Sequence, residues 1–190
     1  TIPYKESVLP YLTTLDAHAQ AIGAVNTLVR SKDQWQGYNT DFLGFGSHLQ
    51  EIFPDHWDRK ALILGTGGAA KAVAYALSLL SFEFSLVSRK ATGNTLSYGQ
   101  AQEDLDRYAL IINTTPKGTF PNVSEQPLLI PLGHPKQLYY DLIYNPSETA
   151  WLQTARSHGA MVSNGLEMLK RQALASWDLW QGKPLPILSR

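Results

Sequence analysis

Cysteine is absent from all 190 residues. That excludes disulfides and thiolate metal sites and suits a reducing compartment, so a cytoplasmic location is expected. An excess of either charge is also missing, since 16 Lys and Arg balance 16 Asp and Glu. A nucleic-acid surface leaves a basic excess, so no nucleic-acid partner is expected. No apolar run has membrane-spanning length; the longest, Ala72 to Val87, is broken by Glu83 and several serines, and no signal peptide is found. The five histidines are scattered. Neither His-Glu-x-x-His nor Gly-x-Ser-x-Gly occurs, so metal hydrolysis and Ser-His-Asp chemistry have no support and no metal site is expected. Internal repeats and low-complexity tracts are lacking. Oligomeric state, monomer or homodimer, is left open. There is no initiator Met: Thr1 opens the chain, and Ile2-Pro3 biases Ile2 toward extended geometry. The chain is expected to open inside an extended segment, with further residues upstream.

What is present is an alternation. Residues 6–22 read as one or two helices interrupted at Pro10. Residues 24–30 and 34–38 read as a hairpin around Ser31-Lys32-Asp33. Apolar residues at 42, 45, 49, 52 and 53 give helical spacing from Asp41 to Phe53, stopped by Pro54-Asp55-His56. Then come a strand at 61–64, a helix at 68–80, and a strand at 84–88. A Gly/Asn/Ser-rich stretch with a short strand near 96–98 follows. Further strands are expected at 108–113, 138–144 and 160–162, with a helix at 147–158. The last helix, 165–181, carries Leu166, Leu169, Ala173, Trp177 and Trp180 as an apolar stripe, with Asn164 to cap it and Gly182 just beyond its end. Strands interleaved with helices predict an α/β fold on a parallel sheet.

Gly65-x-Gly67-x-x-Ala70 has the spacing of a dinucleotide turn, and it sits where that turn belongs, after an apolar strand and before an Ala-rich helix. The first glycine makes the bend and the second admits a pyrophosphate. The small third residue packs helix on strand, and the free N–H groups around Gly68 and Ala69 face the phosphates. The Gly-Lys-Ser/Thr ending of a P-loop is absent, so Lys71 reads as a solvated helix residue. At the tip of the next strand stands Ser88-Arg89-Lys90 with no acid. An acid there would select NAD through the ribose hydroxyls; an arginine fork suits the 2′-phosphate of NADP. The plainer alternative is an exposed basic turn.

Lys5, Asn26 and Asp41 lie at the ends of short apolar segments. Reducing a ketone needs a hydride and a proton donor within hydrogen-bond reach of the carbonyl oxygen. Lys5 can supply charge to the developing alkoxide, Asp41 can orient Lys5 or relay a proton, and the Asn26 amide can bind substrate hydroxyls. Each also has a plainer reading: a solvated lysine, a helix cap, and a partner for hairpin backbone.

Six segments, in order, resemble the motifs of the shikimate dehydrogenase family: Thr1-Ile2-Pro3-Tyr4-Lys5, Gly23-Ala24-Val25-Asn26-Thr27, Asn39-Thr40-Asp41, Gly65-Thr66-Gly67-Gly68-Ala69, Asn113-Thr114-Thr115-Pro116 and Asn164-Gly165-Leu166-x-Met168-Leu169-x-x-Gln172. Together they cover nearly the whole chain. By this resemblance Lys5 and Asp41 are the catalytic pair. Thr1, Asn26 and Gln172 contact a small-molecule substrate, with Tyr144 near the reacting ring. Gly165, Thr114 and Thr115 lie along the nicotinamide, and Arg89, beside Ser88, takes the adenosine phosphate. The resemblance implies a Rossmann-like NADP-binding domain at 42–163 and a smaller substrate domain from 1–41 and 164–190. The final helix would bring Gln172 back to the substrate; its plainer reading is a rim residue of an amphipathic helix. The implied reaction is the NADP-dependent reversible reduction of 3-dehydroshikimate to shikimate, a step toward the aromatic amino acids. Alternatives are a quinate/shikimate dehydrogenase using NAD, or an NADP-binding relative without turnover. Three departures stand out. The family's Ser-x-Ser motif, which holds the substrate carboxylate, is unmatched. Ser88 replaces a customary Asn. The span from Arg89 to Leu110 is short, which predicts a helix reduced to a loop.

Overall fold

A computed structural model describes residues 4–130 and 136–188; Thr1 lies outside the described residues. The chain forms two compact units. One comprises Thr1–Glu51, Gly67–Leu80 and Glu167–Arg190, and the other Ile52–Thr66 and Ser81–Leu166.

In the first unit, the 31–34 turn closes a hairpin of β2 (Thr27–Ser31) and β3 (Gln34–Tyr38), with Lys32 in the left-handed region at φ 55°. Strand β1 (Thr14–Leu15) adds to β3 in parallel, pairing Thr14 with Gln36 and Leu15 with Gly37. The expectation of one or two helices across 6–22, interrupted at Pro10, is therefore corrected. A 3₁₀ turn at Leu9–Tyr11 precedes β1, and only Ala17–Ile22 forms α1. Asp16 caps α1 by accepting from His18 N–H and Ala19 N–H. The partner of β1 is a later strand, beyond both α1 and β2, and helical periodicity does not reveal such a pairing.

Helix α2 (Asp41–Ile52) follows the hairpin directly. Its N-terminus is capped by Asn39, whose Oδ1 accepts from Asp41 N–H at 3.0 Å. Helix α3 (Gly68–Leu79) packs with α1. His18 of α1 stacks on Phe42 of α2 at 4.8 Å and meets the Tyr75 hydroxyl of α3 at 2.8 Å.

The second unit is built on six parallel strands: β4 (Lys60–Leu64), β5 (Glu83–Val87), β6 (Thr95–Leu96), β7 (Leu110–Asn113), β8 (Leu138–Asp141) and β9 (Met161–Ser163). Their spatial order is β6-β5-β4-β7-β8-β9. Counted from β4, this is the doubly wound 3-2-1-4-5-6 order, with its switch point between β4 and β7. The short span after Arg89 holds more than a loop: α4 (Tyr98–Glu103) starts at a capping box of Ser97 and Gln100. Helix α5 (Ala150–Ser157) is capped by Thr149. Leu62, Leu64, Val87, Ile111 and Tyr139 of the strands bury against Leu105, Trp151, Leu152 and Ala155. Each large apolar side chain so buried is worth about 1.5–3 kcal/mol.

Helix α6 (Leu166–Trp180) corrects a second expectation. Its buried residues are Met168, Ala175, Ser176 and Leu179, whereas Trp177 and Trp180 are more than half exposed. The buried face includes a serine and runs beside Gln172, so a search for apolar spacing selects the wrong side.

Candidate active site

The first unit gathers four of the expected site residues. Lys5 Nζ donates to Asp41 Oδ2 at 2.5 Å, with side chains only 15% and 7% exposed. Asn26 Nδ2 lies 2.9 Å from Asp41 Oδ1 and 3.2 Å from Gln172 Oε1. Residues 5, 26, 41 and 172 thus form one polar group, although 146 residues separate Asn26 from Gln172. Asp41 does not cap its own helix, because Asn39 performs that task and leaves the Asp41 carboxylate for Lys5 and Asn26. The Lys5 segment is held by its carbonyl, which accepts from Val25 N–H at 2.8 Å, next to Asn26.

Gln172 reaches this group because α6 approaches α2 closely. A Cβ on Gly44 would stand 2.6 Å from Met168 O and 2.9 Å from Gln172 N, so only a glycine admits this spacing. One residue before Gln172, Arg171 makes a two-pronged contact to Glu51 of α2, at 2.8 and 2.6 Å. The mixed inner face of α6 is thereby held by one absent methyl and one ion pair.

The glycine turn runs as expected from β4 into α3. Gly65 has φ +117°, and a Cβ there would meet Thr114 Oγ1 at 2.6 Å. Thr114 Oγ1 in turn donates to Leu64 O at 2.7 Å, so the ends of β4 and β7 are tied at the switch point. Gly67 is the N-cap of α3, no side chain caps that end, and a Cβ on Gly67 would meet nothing within 4 Å. The first amides of α3, from Gly68 and Ala69, are thus free of side-chain competition for an anion. Gly68 also faces the Lys5 segment, its Cβ position being 3.6 Å from Lys5 Cβ. Lys71 is not simply solvated: it pairs with Glu6 at 2.8 Å.

The carboxyl ends of the other parallel strands carry the remaining residues. Ser88 and Arg89 follow β5; Ser88 Oγ accepts from Lys90 N–H at 3.2 Å, and Arg89 is exposed. Thr115 follows β7, with its N–H and hydroxyl both donating to Asn113 Oδ1, at 2.9 and 2.7 Å. Tyr144 is half exposed in the turn beyond β8. Gly165 closes on that turn: its N–H donates to Ile143 O at 3.0 Å, and a Cβ would overlap Leu142 O. Tyr144 and Gly165 belong to the second unit, not to the unit holding the Lys5 group.

Sequence reasoning missed a buried node here. Asp141, fully buried at the end of β8, accepts from Asn113 Nδ2 at 3.0 Å, Ile143 N–H at 3.1 Å and Thr149 Oγ1 at 2.8 Å. It joins the β7 loop, the β8 turn and the cap of α5. Burial pushes its carboxyl up to about 6, against the lowering effect of those three donors. Asn113 was visible as part of a motif; Asp141 and Thr149 carried no local signal. Among the described residues no group of His, Cys, Asp and Glu suits a metal ion, and no helix is long and apolar enough to cross a membrane.

Known proteins resemble this chain in sequence and in fold. Residues 1–28 match the family described as the shikimate dehydrogenase substrate binding domain. A shikimate dehydrogenase (NADP(+)) from Moorella thermoacetica is 36% identical, over 98% of this chain and 70% of its own. The structure of a Thermus thermophilus shikimate 5-dehydrogenase, in complex with NADP(H) and shikimate, superposes with TM-score 0.82 at 32% identity, covering 99% of this chain and 73% of that one. A quinate dehydrogenase from Corynebacterium glutamicum, in complex with NAD, gives TM-score 0.85 at 26% identity, covering 99% and 73%. With a relative 36% identical over 98% of this chain, a parallel sheet in doubly wound order and a matching substrate-domain segment, this chain belongs to the shikimate dehydrogenase family, a family of oxidoreductases.

Proposed function

We propose that the protein interconverts 3-dehydroshikimate and shikimate using NADP. The observation that carries this reading is the Lys5–Asp41 pair, held with Asn26 and Gln172 in one unit. Bound NADPH would supply the hydride to the substrate carbonyl carbon. Lys5 would donate a hydrogen bond to the carbonyl oxygen, stabilise the forming alkoxide and pass it a proton. Asp41 would keep Lys5 aimed, while Asn26 and Gln172 would bind ring hydroxyls. Tyr144 is assigned near the ring by family resemblance.

The residues present fit a phosphorylated dinucleotide. The uncapped start of α3 at Gly67, Gly68 and Ala69 suits a pyrophosphate. The glycine conformation at Gly65, with Thr114 and Thr115 behind it, leaves backbone open to a close ligand. The exposed Arg89, with no acid at the β5 tip, favours the 2′-phosphate over bare ribose hydroxyls. Ser88 shapes that tip through its bond to Lys90 N–H. Gly165 would border the nicotinamide. On this reading residues 1–41 and 164–190 serve the substrate and 42–163 the cofactor. The structural resemblance to a quinate dehydrogenase with NAD makes quinate and NAD the comparison pair.

The test is steady-state oxidation of shikimate and quinate by the purified chain with NADP and with NAD, followed by reduced-cofactor absorbance. Shikimate with NADP should give the highest kcat/KM. A preference for quinate with NAD would overturn the assignment, as would absence of turnover together with absence of shikimate binding by calorimetry.

A further inference from the structure

Beneath the polar group lies a set of buried hydroxyls that the proposed chemistry does not use. Thr27, Thr40 and Ser176 are at most 6% exposed. Thr27 Oγ1 and Ser176 Oγ are 2.6 Å apart, and Ser176 Oγ and Thr40 Oγ1 are 3.0 Å apart. Thr27 Oγ1 donates to Asn26 Oδ1 at 2.9 Å, and Asn26 Nδ2 donates to Thr40 Oγ1 at 2.9 Å.

Each hydroxyl has one proton, which fixes the direction of the whole set. Thr27 gives its proton to Asn26 Oδ1; the Ser176 hydroxyl lies 2.9 Å from Gln172 O but closer to Thr27, and donates to Thr27 across the 2.6 Å contact. Ser176 Oγ is then free to accept, and Thr40 donates to it. Thr40 Oγ1 in turn accepts from Asn26 Nδ2. The result is a closed ring, Asn26 to Thr40 to Ser176 to Thr27 and back to Asn26, with every bond pointing the same way. Such rings strengthen cooperatively in a dry interior. Thr40 N–H, 2.8 Å from Asn26 Oδ1, enforces the same amide orientation, because a flipped amide would set two donors face to face.

The ring decides what Asn26 can offer. Its amide has two protons and three acceptors in reach: Thr40 Oγ1, Asp41 Oδ1 and Gln172 Oε1. The ring takes one proton; in the free protein Asp41 at 2.9 Å takes the other in preference to Gln172 at 3.2 Å, and this second proton is the one Asn26 can turn to a substrate hydroxyl. Gln172 Oε1 is left to accept from a ligand hydroxyl. Thr40 Oγ1 is also 3.2 Å from Asn26 Oδ1 and 3.4 Å from Gln172 Oε1 and could turn its proton to either. Ser176 gives that proton a shorter path.

We propose that Ser176 is a positioning residue: by closing this hydroxyl ring it draws the Thr40 proton away from Gln172 Oε1 and keeps that oxygen available to the substrate. The inference rests on the shikimate reading for its catalytic consequence. The ring itself is independent of that reading.

The experiment compares Ser176→Ala, Thr27→Val and the double variant in the full chain. With a net hydrogen bond worth about 0.5–1.5 kcal/mol, each single variant should raise the shikimate KM by about two- to tenfold. The NADP KM should stay unchanged, and the double variant should be no worse than the poorer single, because either change opens the same ring. Losses that multiply in the double variant, or an equal rise in the NADP KM, would overturn the proposal. Urea unfolding of the same three variants gives a readout that does not need turnover. Stability losses that fail to add support the ring even if shikimate proves to be the wrong substrate, and additive losses reject it.

Discussion

Lys5 is the residue on which the proposed chemistry turns. Lys5→Ala should lower turnover by about 10²–10⁴, the usual range for a positioned acid–base group. It should leave the NADP KM within about twofold, because the Lys5 ammonium is engaged with the Asp41 carboxylate in the polar group. Near-normal turnover of Lys5→Ala would remove Lys5 from the mechanism. Arg89 governs the choice of cofactor. A charge-assisted contact to phosphate is worth about 1.5–3 kcal/mol, so Arg89→Ala should weaken NADP binding by about 10- to 150-fold and hardly change NAD. Equal losses for both cofactors, measured by calorimetric titration, would end the specificity claim. Residues such as these were legible because their types stand in ordered motifs: Lys5, Asn26, Asp41 and Gln172 were named from sequence and are found together. Ser176 was not legible, because a serine four residues after Gln172 means nothing until Thr27 and Thr40 are seen against it.

Helix α6 shows what decides an element's placement. Its exposed tryptophans advertise an apolar face that the fold does not bury, while a mixed face with Met168, Ser176 and Leu179 packs inward. Gly44 makes that packing possible. Gly44→Ala forces the new methyl against Met168 O and Gln172 N, which are backbone atoms that do not yield cheaply. Overpacking of this kind costs about 1–3 kcal/mol, against up to about 1 kcal/mol gained in helix propensity. The variant should be less stable in urea and should bind shikimate more weakly, since Gln172 moves with its helix. A more stable Gly44→Ala would show that α6 has room to spare. Helix and strand boundaries elsewhere were mostly legible to within a few residues, because β4, β5 and β7 are short apolar runs and α3 is rich in alanine. Strand β1 was not, being two residues long and defined only by its partner β3.

At the scale of the whole molecule, Asp141 links stability to pH. Its carboxyl sits near 6 in the folded protein against 3.8 for the ordinary group, so between those values the folded chain binds more protons than the unfolded one. Stability is therefore greatest below about pH 4 with respect to this group and falls as pH rises through about 6, by at most about 3 kcal/mol for a shift of that size. Asp141→Asn keeps an acceptor for Asn113 Nδ2 and Ile143 N–H and carries no charge to desolvate. Urea unfolding across this window should show a flatter pH profile for Asp141→Asn than for the natural chain. Parallel profiles would mean that the carboxyl titrates normally.

The sequence by itself determined the class of fold, the glycine turn and the membership of the polar group. These depend on local patterning and on residue types whose chemistry is specific at short range. Only the tertiary structure decided which face of α6 is buried, how Gly44 sets its distance from α2, and that Asp141 and the Thr27–Thr40–Ser176 ring exist at all. The physical reason is common to all of them. A close backbone approach, a buried carboxylate and a closed hydrogen-bond ring are made by partners far apart in the chain, and their free energy comes from geometry that no single segment contains.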